Sequence, residues 1–137
     1  MAASTIKGIT IEIGGDTTKL DKALSGVNKQ SRDLQKELKE VEKGVKLDPK
    51  NTELLAQKQT LLKEAVAATS EKLDVLKSAE AQVQKQFENG EVSEEQYRAL
   101  QREIIKTEAD LKNLKTAAED SNSTLEKVGE IAGKIGK

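Results

Sequence analysis

The sequence has no cysteine, no histidine and one proline, and its aromatic residues are limited to Phe87 and Tyr97. Without cysteine there is no disulfide framework, thiolate nucleophile or common zinc-finger ligand set, and the redox compartment stays undecided. Without histidine the commonest acid–base group and the commonest metal ligand are both missing. No run approaches the roughly 18 consecutive apolar residues of a membrane span, and Met1-Ala-Ala-Ser-Thr-Ile-Lys lacks the basic-then-apolar plan of a signal peptide. Charge of one sign is also lacking: 23 Lys and Arg face 24 Asp and Glu, for a net charge of −1. That balance leaves no electrostatic footprint for nucleic acid. Catalytic, cofactor-binding and metal-ligating residues are therefore all expected to be absent, and no cofactor is expected.

What is present is periodicity. Charged residues form 34% of the 137 residues and apolar ones 35%, a balance that fits either disorder or solvated helices around a narrow apolar seam. The length allows one domain or part of a longer protein. Ile9, Ile11 and Ile13 alternate with Thr10 and Glu12, the period of two that marks a half-buried strand over about 6–13. Residues 1–5 read as an unstructured lead. Gly14-Gly15-Asp16 stops the strand, and Asp16 or Thr18 is the expected cap of a following helix. A lone strand has no partner in the chain, so its open edge is expected to pair through Ile9, Ile11 and Ile13 with another copy or another part of the protein.

From Leu20 the apolar positions are Leu20, Leu24, Val27, Leu34, Leu38, Val41 and Val45, in steps of four and three broken only by Ser31. This is a heptad seam, predicting a helix over about 17–46. Pro49 removes a backbone donor and ends it; Asp48 as cap and Pro49 in the first turn open a second helix over about 49–88. Its seam is Leu55, Gln59, Leu62, Val66, Thr69, Leu73, Leu76, Glu80, Val83 and Phe87. Leu54, Leu61, Ala65, Ala68 and Ala79 widen that face, which implies more than one neighbour.

Asn89-Gly90 ends the second helix. Ser93 with Gln96 forms a capping box, and Val92 with Tyr97 occupies the hydrophobic-staple positions. The third helix, about 94–135, has its seam at Tyr97, Leu100, Ile104, Thr107, Leu111, Leu114, Ala118, Ser121, Leu125, Val128, Ala132 and Ile135. Ser121-Asn-Ser-Thr124 is a candidate break. The helical face is still running at Lys137, which suggests part of something longer. The expected organisation is a strand and turn (1–16), two helices (17–88), a third (89–120) and an amphipathic continuation (121–137). The fold class is all-α, with long coiled-coil-like helices in a hairpin or elongated bundle. The seam phase carries across Pro49, which allows a kinked co-linear pair, and slips at Gly90. Because antiparallel hairpins bury more seam per chain, fold-back is expected at the second turn and stays open at the first.

Other constellations favour structural readings. Glu37/Glu40/Glu42, Glu94/Glu95 and Glu119/Asp120 lie on solvent-facing positions, several among lysines, and not across a cleft. Gly14-Gly15-Asp16 lacks the spacing and lysine of a phosphate loop. The stretch Leu125–Ile135 has no aromatic anchor for a membrane surface, and packing on protein is expected.

Three phrases resemble a known family: Ile6-Lys-Gly-Ile-Thr-Ile-Glu-Ile-Gly-Gly-Asp-Thr-Thr-Lys-Leu-Asp-Lys-Ala-Leu, Leu47-Asp-Pro-Lys-Asn-Thr-Glu-Leu-Leu and Gly90-Glu-Val-Ser-Glu-Glu-Gln-Tyr-Arg-Ala-Leu. They are similar to the N-terminal region of tail tape measure proteins from long-tailed phages and prophages of Gram-positive bacteria. The resemblance implies a structural, non-enzymatic role in which several copies lie in the tail tube and set tail length. It also implies homo-oligomers, tail-tube and tail-assembly chaperone partners, and a location in the host cytoplasm during assembly and then in the virion tail lumen. Direct nucleic-acid or membrane contact by this region is not expected. The alternative is a bacterial coiled-coil adaptor, or a secreted helical protein, that binds a partner through the same seam.

Overall fold

A computed structural model describes residue 6 and residues 8–135, with side chains up to Gly129. The expected lead at 1–5 and the seam side chains of Ala132 and Ile135 lie outside the described residues. Strands β1 (Thr10–Ile13) and β2 (Asp16–Lys19) are followed by helices α1 (Leu20–Leu47), α2 (Thr52–Glu88) and α3 (Glu94–Ile135). The molecule is all-α apart from its small hairpin. Helix α2 is central, packed against α1 on one side and α3 on the other, while α1 and α3 scarcely meet.

The expectation of an unpaired strand is corrected. β1 pairs antiparallel with β2, setting Ile11 opposite Thr18 and Ile13 opposite Asp16. The two-residue turn between them is Gly14-Gly15, with φ of 57° and 87°. Two successive positive φ values define the turn whose twist matches a hairpin, and glycine enters that region without strain. Thr17 and Thr18, being β-branched, favour the return strand over a helix start. The expected capping by Asp16 or Thr18 is accordingly replaced: α1 begins at Leu20, and Lys19 precedes it without a side-chain cap.

The second start is also displaced. Asn51, and neither Asp48 nor Pro49, caps α2, its side chain accepting from the Leu54 N–H at 3.0 Å. Asp48 instead closes α1, donating its N–H to the Gly44 carbonyl and accepting from the Asn51 amide. Residues 48–51 are all needed to reverse the chain, so the co-linear arrangement across Pro49 gives way to a second fold-back.

The remaining signals appear as expected. α2 ends with the Gly90 N–H bonded to the Phe87 carbonyl and the Glu91 N–H to the Gln86 carbonyl, a Schellman closure that places Gly90 at φ 76°. At α3 the Ser93 N–H donates to Gln96 Oε1 at 2.9 Å and the Gln96 N–H to Ser93 Oγ at 3.1 Å. Ser93→Ala should lower stability by about 1 kcal/mol in a urea titration. The suspected break at 121–124 is absent: α3 continues, with the Thr124 hydroxyl bonded back to the Asp120 carbonyl.

The core is a continuous apolar cluster from Ile6, Ile9 and Ile11 through Leu20, Leu24, Leu76, Val83 and Leu100 to Leu61 and Val41. Its β-hairpin end also holds the stacked Phe87 and Tyr97 rings, 5.0 Å apart.

Candidate functional site

The seam residues converge inside one chain. Leu20, Leu24, Val27, Leu34, Leu38, Val41, Leu55, Leu62, Leu76, Val83, Leu100 and Ile104 are buried. Val45, Val66, Leu73, Phe87, Tyr97, Leu111 and Leu114 are half-buried, and among the described residues no named seam position is exposed. Leu61, Ala65, Ala68 and Ala79 are buried as well, as a central helix with two neighbours requires. Large exposed apolar side chains lie elsewhere, at Ile13, Leu47 and Ile105. Burial of Ile9 and Ile11 against the bundle leaves Ile13 as the exposed tip of the expected strand trio.

The outer edge of β1 is covered in a way the sequence pattern did not reveal. Glu12 donates its backbone N–H to Gln82 Oε1 at 2.7 Å and receives Gln82 Nε2 on its carbonyl at 2.9 Å. One turn along α2, Gln86 Nε2 donates to the Thr10 carbonyl at 2.7 Å. A primary amide carries the same donor and acceptor as a peptide, so Gln82 completes the ladder as a third strand would. Helical residues four apart are separated by about 6 Å along the axis, close to the roughly 6.6 Å between alternate strand residues. Two glutamines at that spacing therefore track one strand edge. The β2 side, with Asp16, Thr17 and Lys19 exposed, faces outward.

Between α1 and α3 runs a groove of about 490 Å³ floored by Thr69 and Lys72 of α2. Asn28, Ser31 and Arg32 line one wall; Lys106, Thr107 and Asp110 line the other. Lys72 and Glu103 form an ion pair of 2.9 Å inside it, each about four-fifths buried. Ile6, Leu24 and Leu114 also line the groove, which is therefore mixed in character and nearly charge-compensated. Glu37, Glu40, Glu42, Glu94, Glu95, Glu119 and Asp120 are exposed, as their positions implied. Among the described residues no cluster has the composition of a metal site, and no helix is long and apolar enough to cross a membrane.

Over 81 residues, 59% of its length, the chain is 36% identical to a probable tape measure protein of Lactococcus phage SK1. The matched stretch is 8% of that phage protein, so the chain corresponds to a small part of its relative. No family model matches the chain, and no solved structure matches it.

Proposed function

We propose that this chain is a structural component of a phage tail, the N-terminal part of a tape measure that sets tail length as a multimerising helical ruler. The single observation that carries this reading is the 36% identity to a probable tape measure protein. Helical architecture supports it, because a helix advances about 1.5 Å per residue and converts chain length linearly into distance. The role is mechanical and needs no catalysis. Its partners are further copies of the chain, the tail tube around them and the chaperones of tail assembly, first in the host cytoplasm and then in the tail lumen.

Folding back changes what this segment adds to the ruler. The longest helix, α3, has 42 residues, so the folded module measures about 60 Å against about 200 Å for the whole chain as one helix. Removing the segment from its parent protein should shorten tails by about 60 Å in electron micrographs. A shortening near 200 Å would mean that the helices stand end to end in the tail. Tails of unchanged length would remove the ruler reading for this segment.

A further inference from the structure

We propose that the bundle is built to open at one end, with the part of α3 beyond Thr107 swinging away from the α1–α2 pair while the β-hairpin end stays closed. This goes beyond the tail reading and does not depend on it. The packing of α3 is sharply uneven along its length. Ala99, Leu100, Ile104 and Thr107 are buried, whereas between residues 108 and 129 the one buried residue is Ser121. Every leucine and valine of that second stretch is only half-buried, and the continuous core stops at Ala118, leaving Leu125 and Val128 outside it.

Among the described residues the most completely buried large side chains lie toward the other end: Ile9, Ile11, Leu20, Leu24, Leu76, Val83, Leu100 and Thr107. Among the described residues the inter-helix ion pairs, Lys72–Glu103 and Lys77–Glu108, reach no further along α3 than Glu108. Phe87 and Tyr97 stack beside the α2–α3 turn. What holds α3 to α2 is therefore concentrated before residue 109.

In the loosely packed half the seam contains its least favourable contents. Gln59 of α2 and Ser121 of α3 are 8% and 6% exposed. Their Oε1 and Oγ atoms are buried without a hydrogen-bond partner among the described residues. A buried polar atom without a partner has lost its water and gained nothing, so the closed state is penalised where these two residues sit. Opening returns both to water. Open grooves of about 380 Å³ and about 360 Å³ lie beside Gln59 and Ser121. Pro49 and Val45 line the second groove, which places it at the α1–α2 turn. The freed part of α3 amounts to about 40 Å of helix, attached to a closed bundle at its base.

Amide hydrogen exchange on the intact chain tests this. Ordinary fraying is confined to the last turns of a helix, so the relevant amides are those of 111–121, compared with 97–107. They should exchange at least ten-fold faster, with a step after Thr107; a smaller difference overturns the proposal. Gln59→Leu should then slow exchange over 111–121 at least three-fold; amides of 97–107 that exchange through global unfolding slow by up to the same factor, because the substitution stabilises the closed state against both openings. Residue 59 is on α2 and leucine matches glutamine in helix propensity, so that gain must come through packing. No gain over 111–121 overturns the proposal.

Discussion

Leu76→Ala is expected to remove about 2–5 kcal/mol of unfolding free energy, one of the two largest effects of any substitution considered. Leu76 is fully buried on the central helix and belongs to the continuous core. Truncation there loses the transfer energy of the deleted carbons and leaves a cavity that two packed neighbours cannot both move to fill. Alanine is as good a helix former as leucine, so propensity neither adds to the loss nor conceals it. Leu47→Ala is the matched control: with Leu47 88% exposed, its change should stay within about 0.5 kcal/mol. Urea titrations followed by circular dichroism at 222 nm compare the two. A loss below about 1 kcal/mol for Leu76→Ala would show that the core is not packed as described.

The helical architecture was legible because its signals are local and redundant. The three seams, the capping box at Ser93 and Gln96 and the closure at Gly90 each depend on residues within a turn or two of one another. Even the impure positions were informative. The four buried polar residues, Gln59, Thr69, Thr107 and Ser121, all occupy seam positions read from spacing alone. The interval of three and four fixes which face points inward whatever residue stands there. Heptad phase did not fix direction. It runs unbroken across Pro49, yet the chain reverses, because reversal is set by the turn at 48–51 and by the larger apolar area that two antiparallel helices bury.

The hairpin was half legible for a different reason. Ile9, Ile11 and Ile13 announce β1 by alternation, whereas β2 is Asp16-Thr17-Thr18-Lys19, with no apolar residue to alternate. The signal that identifies it is Gly14-Gly15 followed by two β-branched residues, a type of dipeptide that favours two-residue hairpin turns. The cover on the β1 edge could not be read from spacing, since it joins residues 70 and 76 positions apart. Glutamines on a charged helix look like solvated surface until a strand lies beside them.

Ile11→Asp is expected to release this hairpin from the bundle, at a cost of about 3–5 kcal/mol. Ile11 is 1% exposed in the small sheet and belongs to the apolar cluster with Leu20, Leu24 and Val83. An aspartate there must either lose its charge or pull the strand out into water. The second outcome is cheaper, because β1 and β2 are short and precede α1 without interrupting any helix. Helical circular dichroism should therefore fall little at 25 °C while the denaturation midpoint drops. Release also separates Thr10 and Glu12 from Gln82 and Gln86, uncovering a strand edge beside Ile9, which is buried in the closed bundle. Unpaired edges of this kind recruit other chains, so the variant should show a steeper concentration-dependent rise in mass by light scattering than the wild type. A variant with the parental midpoint and mass would mean that the hairpin contributes nothing to the closed bundle and that the two glutamines guard an edge with no tendency to pair.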